Sequence, residues 1–318
     1  MFNTPPLIIP ADSAAQPGPF RVSPLKWQRQ ERSEAELTEA TATALITGDR
    51  LKPRDLSILH AVWMYGVMTT KQITRLLFDN LTERSAVTVA SRRLNFLYQE
   101  YCLNRAWQGM GQNFVYTLDV QGARLLQLEQ PDDRLNWSAQ AAGEKLLHLE
   151  QSLGITELGV SLTHAARNWE GGGELRWYGD HALTLTTKDG LRFRPDALGL
   201  LRLGVERTGF FLEWDRGSGL AEKVKTYVDY LRSEEWQSHF KQFPAVLMVT
   251  ETPDRLEQLA AAVEQALRTE LAATEKLTVL VTAQAMLEAQ GVLGPVWVHR
   301  LEPGLALPDL LKPPLNQV

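Results

Sequence analysis

Cysteine is almost missing from this chain: among 318 residues there is one, Cys102. That excludes an intramolecular disulfide and any cysteine-cluster metal site, and it fits a reducing compartment. Long apolar runs are missing as well. None reaches the roughly 18 residues that a bilayer crossing needs, and the N-terminus shows no basic segment followed by an apolar one. Neither a membrane span nor a signal peptide is expected, which leaves the cytoplasm. Positive charge is also scarce: the net charge is −5 and the pI about 5.8. Coating of nucleic acid through bulk charge is therefore excluded, and any such contact must come from a local basic patch. The glycine-rich stretches Gly171–Gly173 and Gly217–Leu220 lack the lysine and strand–helix context of a phosphate loop. His148 and His164 have no second histidine at zinc spacing, and Ser218 has no paired base.

What is present is ordinary globular material, 44% hydrophobic and 22% charged, long enough for about two domains. Residues 1–50 carry Pro5, Pro6, Pro10, Pro17, Pro19 and Pro24, with at most one short helix in Glu31–Gly48, and read as a mostly flexible arm. A polar stretch around Pro131 marks a boundary between a first domain at 51–130 and a second at 137–303. Residues 304–318 form a tail.

The first domain reads as three helices followed by a hairpin. Pro53 suits a helix first turn, with Leu56, Leu59, Val62 and Trp63 on one face and Gly66 at its end. A threonine cap at Thr69-Thr70 opens a short helix that turns Ile73, Leu76 and Leu77 inward. The third helix places Val87, Ala90, Leu94 and Leu97 inward. Arg84, Ser85, Thr88, Ser91, Arg92 and Asn95 lie on the other side. Two strand-like runs, Cys102–Gln108 and Phe114–Asp119, then flank a glycine-containing turn. This is the order of a winged helix-turn-helix. The polar face of the third helix, together with Arg93, carries groups suited to phosphates and base edges in a major groove, and Arg105 and Gln108 in the wing suit the adjacent backbone. Winged helices also serve as protein-docking modules, so that use stays open beside DNA contact.

The second domain alternates helix, several strands, helix, strand, helix, strand, which fits a mixed sheet flanked by helices, an α/β and α+β arrangement overall. Its chemistry concentrates between Phe193 and Tyr227. Asp196 follows Pro195 next to one strand, and Glu213 ends the next. If those strands pair as a hairpin, the two carboxylates meet at one end of the sheet, where a hard cation such as Mg²⁺ or Mn²⁺ finds oxygen ligands. Lys223 on the following helix is placed to swing back towards Glu213, and Tyr227 lies one turn further on the same face. Trp214 alternates to the face opposite Glu213 and Asp215.

The segments Arg194–Ala197, Leu212–Ser218 and Lys223–Tyr227, followed by Pro244–Thr250 and Gly294–Trp297, resemble the replication-relaxation family, whose members occur on plasmids and other mobile elements. That family joins a winged helix to a domain resembling PD-(D/E)XK nucleases. The resemblance covers roughly residues 51–300 and implies that Asp196 and Glu213 stand where nuclease-fold enzymes put metal ligands. It departs at Asp215, which occupies the place of the usual lysine two residues after the glutamate. Either Lys223 supplies the positive charge from the helix, or hydrolysis has been lost. The extra carboxylate also calls for relief by a cation or by Arg194 or Arg216.

The residues leave several outcomes open. Asp196, Glu213, Asp215 and Lys223 form either an ion-paired network, a metal site that cuts, or one that binds without cutting. The chain is accordingly expected to be a bacterial DNA-binding protein of a mobile element, acting in replication, relaxation or transfer. The alternatives are a metal-dependent nickase, or a regulator with a non-catalytic nuclease-like domain. Double-stranded DNA, proteins of the same element and a second copy of the chain are the expected partners.

Overall fold

The computed structural model describes residues 26–27, 38–107, 114–131, 135, 137–183, 185–186, 190, 192–215, 219–269 and 277–311. The first half contains strand β1 (Lys26–Trp27), helices α1 (Glu39–Thr47) and α2 (Pro53–Tyr65), strand β2 (Met68–Thr69), and helices α3 (Thr70–Leu77) and α4 (Glu83–Gln99). Strands β3 (Leu103–Trp107) and β4 (Phe114–Leu118) and helix α5 (Val120–Glu129) complete it. The four strands form one small sheet in the order β1-β3-β4-β2. The expected three helices and hairpin are all in place, although residues 108–113, which include Gln108 and the expected turn, lie outside the described residues.

Local chemistry explains the helix ends. Asp55 in the first turn of α2 accepts from the N–H of Lys52 at 2.7 Å, satisfying a donor that the helix itself leaves unpaired. Gly66 ends that helix at φ +80°, a conformation that strains any side chain. In α3 the Thr69 hydroxyl accepts from the Gln72 N–H, and the Gln72 amide oxygen accepts from the Thr69 N–H.

Two expectations need correcting here. The arm is not free throughout: Ala42 and Leu45 of α1 are buried in the main core, the Gln121 side chain of α5 donates to the Thr41 hydroxyl, and β1 pairs antiparallel with β3. Val87 does not face inward. The seam of α4 runs through Ala86, Ala90, Leu94 and Leu97, and Val87, about 100° round the helix from Ala86, is 45% exposed.

The second half opens with helices α6 (Ala139–Leu147) and α7 (Leu149–Arg167) and strand β5 (Gly173–Gly179). A 3₁₀ turn at Asp180–Ala182 and a small ribbon of β6 (Leu185–Thr186) and β7 (Arg192–Phe193) follow. Then come β8 (Ala197–Leu203), β9 (Glu206–Trp214), α8 (Leu220–Ser233), β10 (Ala245–Thr250) and α9 (Pro253–Thr269). The chain closes through β11 (Val279–Ala283), α10 (Gln284–Gln290), β12 (Trp297–His299) and β13 (Glu302–Leu305). Seven strands make one mixed sheet in the order β13-β12-β11-β10-β9-β8-β5. The pairs β9–β10 and β10–β11 are parallel and the rest antiparallel. Each parallel pair is joined by a helix crossover, α8 and α9, as the geometry of parallel strands requires.

The chain is thus an α/β protein, and its sheet has a core on each side. Alternation sends Ala197, Leu201, Phe210, Leu212 and Trp214 to the face covered by α7, and Leu198, Phe211, Val246 and Met248 to the face covered by α8 and α9. The first of these cores continues into the N-terminal helices. Tyr65 of α2 stacks on Trp177 of β5 with centroids 5.7 Å apart, and its hydroxyl meets Thr163 of α7 at 3.2 Å. Arg75 of α3 pairs with Glu157 of α7. This double packing explains why α2 buries Ile58, Ala61 and Tyr65 as well as Leu59 and Val62. No helix among the described residues is long and apolar enough to cross a membrane.

Candidate functional site

The antiparallel register of β8 and β9 sets Ala197 opposite Leu212, so the next position pairs Asp196 with Glu213. The Asp196 N–H donates to the Leu212 carbonyl at 3.0 Å, and Asp196 Oδ2 accepts from the Trp214 N–H at 2.7 Å. The expected hairpin therefore exists and brings the two carboxylates to one corner of the sheet. Glu213 points to the α8 face, as do Leu198 and Phe211 on their strands. It is only 5% exposed, and both its oxygens are engaged: Lys223 Nζ donates to Oε2 at 2.6 Å and the Tyr227 hydroxyl to Oε1 at 2.8 Å. Lys223 and Tyr227 are four residues apart on α8, hence on one face and one turn apart. The lysine thus reaches the glutamate from the helix as expected, while Tyr227 is fully buried and bonded to the site, which its helix position alone did not reveal.

Opposing influences act on Glu213. Burial raises its pKa most, Lys223 works against that, the Asp196 charge raises it further, and the hydrogen bonds from Lys223 and Tyr227 lower it. The net direction is upward. Burial and the adjacent Glu213 carboxylate push the Tyr227 phenol well above its ordinary value. Tyr227 therefore acts as a proton donor in a fixed hydrogen bond and not as a base.

Asp215 does not join this corner. Its N–H donates to the Val249 carbonyl at 2.8 Å, and its carboxylate, 3% exposed, takes a 2.9 Å contact from Arg255 of α9. The expected relief of like charge comes from Arg255, a residue that no local pattern singled out. Arg216 lies outside the described residues, and Arg194 is exposed on the approach to Asp196. Trp214 is buried against α7, where Gly154 leaves room for its ring: a Cβ there would sit 2.5 Å from the indole.

Among the described residues no three His, Cys, Asp or Glu side chains gather into a metal-binding group. Two carboxylates facing across a hairpin still match the chemistry of Mg²⁺, which is commonly held by one or two carboxylates and completes its shell with water and phosphate oxygens. Asp196 keeps Oδ1 without a hydrogen bond from a described residue, whereas Glu213 would have to exchange a protein donor for the ion.

The α4 candidates divide into two groups. Arg84, Ser85, Thr88, Ser91, Arg92 and Asn95 are all exposed. Arg84 and Arg92 have no ion-pair partner among the described residues. Arg93, in contrast, is turned to the core side, where it forms a two-pronged pair with the wholly buried Asp55 and covers the Phe96 ring. Arg105 of β3 lies between the rings of Tyr98 and Phe114, 4.0 and 4.6 Å from their centroids, and donates to Asn95 at 3.1 Å.

Comparison with known proteins adds the following. A family model described as "Replication-relaxation" matches residues 59–246, more than half of the chain. No curated protein sequence matches. Among solved structures, the restriction endonuclease FokI superposes at a TM-score of 0.27 and 14% identity, over 75% of this chain. The chain spans 43% of that enzyme's length, a likeness too weak to bear on its chemistry.

Proposed function

The chain belongs to the replication-relaxation family, and from that premise we propose that it is a DNA-binding protein acting in the replication or relaxation of a plasmid or other mobile element. The observation that carries this is the outer face of α4, where Arg84 and Arg92 stand uncommitted among Ser85, Thr88, Ser91 and Asn95. A guanidinium with no internal partner is free to neutralise a phosphate or to fork onto a guanine edge, and short hydroxyl and amide side chains reach phosphates and adenines. Arg105 and Arg93 play supporting parts by holding the wing and α2 against α4. The test is fluorescence anisotropy with labelled duplex DNA over a salt series. Arg84→Ala and Arg92→Ala should each weaken binding and flatten the salt dependence by about one unit of slope. Binding unchanged in both variants removes this reading.

A second reading has its own observation, the meeting of Asp196, Glu213 and Lys223 at one sheet corner. With Mg²⁺ or Mn²⁺ bound by Asp196 and Glu213, the ion would neutralise charge on a phosphodiester. Lys223 favours the ionised form of Glu213 against the effect of burial and supplies the positive charge that the residue two after the glutamate lacks. Tyr227 fixes the carboxylate rotamer, and Asp196 is oriented by the Trp214 N–H. Supercoiled plasmid incubated with either ion should be nicked by the wild type and not by Asp196→Ala, Glu213→Ala or Lys223→Ala. Intact plasmid under both ions, with footprinting retained, favours a regulator whose second half only binds. A homodimer is the expected assembly, to be read from light scattering.

A further inference from the structure

At the far end of β5, β8 and β9, on the face that carries Glu213, the sheet and the loop before β10 enclose an open cleft of about 450 Å³. Its lining is strongly basic for a chain of net charge −5. The strand register lines up Glu174, Arg202 and Arg207 in one row, and Arg176 follows two positions along β5 on the same face. Lys241 and the half-buried Phe240 close the cleft from the loop. Among the described residues of the lining Glu174 is the one carboxylate, and it is shared: Arg176 lies 3.3 Å and Arg202 3.9 Å from it. Arg207 and Lys241 have no ion-pair partner among the described residues, and both are exposed. Four cations against one anion leave the cleft with three positive charges in excess, two of them uncommitted.

We infer that this cleft is a second contact for the phosphodiester backbone of DNA, separate from the α4 face and from the Asp196–Glu213 corner. Gathering so many like charges costs repulsion that a bound polyanion relieves, and guanidinium groups spread across the ends of three strands match a row of phosphates better than a single compact anion. Position keeps the cleft apart from the carboxylate corner. Arg207 and Glu213 lie on the same face of β9 six positions apart, which at about 3.3 Å per residue is roughly 20 Å. Between them α8 covers that face and Phe211 is wholly buried, so a phosphodiester strand held in the cleft does not run along β9 to Glu213. Gly209, between Arg207 and Phe211 on that face, leaves the floor of the cleft low.

The inference rests on the DNA-binding reading, and its test separates the two. Salt-dependent anisotropy would be measured for wild type, Arg207→Gln, Lys241→Gln and Arg92→Ala, with Arg268→Gln on α9 as a surface-charge control. The expected result is a slope of log Kd against log salt that falls by about one unit for each cleft variant and stays at the wild-type value for Arg268→Gln. Wild-type slopes for both cleft variants, with Arg92→Ala still weakened, overturn the cleft and leave the α4 reading standing. Absence of duplex binding by the wild type overturns both. A second arm adds inorganic phosphate at constant ionic strength. Phosphate binding that is lost in Arg207→Gln, while both cleft variants keep the wild-type DNA slope, would mark a site for free phosphate and also overturn the inference.

Discussion

Arg93→Ala is the sharpest test of how the first half is built, because it separates a structural arginine from its neighbour in sequence. Asp55 is wholly buried. It is held by two donors from Arg93, Nε at 2.8 Å and a second guanidinium nitrogen, and by one from the Lys52 N–H at 2.7 Å. Removing the guanidinium leaves a buried carboxylate with the Lys52 N–H alone, and breaking a buried pair from one side costs about 3–5 kcal/mol. The loss of cover over Phe96, whose ring lies 4.4 Å from the guanidinium, acts in the same direction. Domains of about 150–250 residues lose roughly 2–4 °C per kcal/mol and longer chains less, so the melting temperature should fall by several degrees. Arg92→Ala, one residue away but exposed and unpaired, should stay within about 0.5 kcal/mol of wild type. Thermal and urea unfolding followed by circular dichroism measure both. The double variant Asp55→Leu with Arg93→Met should recover much of the loss, because replacing both partners by apolar groups removes the stranded charge. An Arg93→Ala protein as stable as wild type would refute the buried pair, and with it the view that Arg93 is unavailable to DNA.

Other outcomes follow from the same structure. Because the folded pKa of Glu213 lies above its unfolded value, the stability linked to it is complete below about pH 4 and is lost as pH rises through the folded pKa. Wild type should therefore lose urea resistance relative to Glu213→Gln between acid and neutral pH, and parallel curves would contradict this. Gly154→Ala places a methyl within 2.5 Å of the Trp214 ring, so about 1–3 kcal/mol of overpacking and a changed near-ultraviolet Trp signal are expected. Asp215→Asn should lower stability through Arg255 while leaving any nicking of plasmid in place. Loss of nicking without loss of stability would return Asp215 to the catalytic group.

Strand alternation, turn residues and helix period are local properties, and they carried much of the reading. They located the three N-terminal helices and the hairpin after them, the pairing of β8 with β9, and the helix that brings Lys223 back to Glu213. They failed where a neighbour distant in sequence decides the matter. Val87 and Ala86 are both apolar and adjacent, and only the direction of α4 against its partners selects the smaller one for the seam. The segment before residue 50 lacks the apolar content to fold alone, yet α1 finds α5 to pack against. Nothing near Asp215 announces Arg255, which arrives on α9 after a whole crossover, and nothing near Arg93 announces that Asp55, 38 residues earlier, claims it. By itself, then, the sequence determined which side chains were available at each strand end and helix face. Only the tertiary structure decided which charges were spent on one another and which were left for a ligand, because a charge is committed by the burial and spacing of its partner, and both are set by how the elements pack.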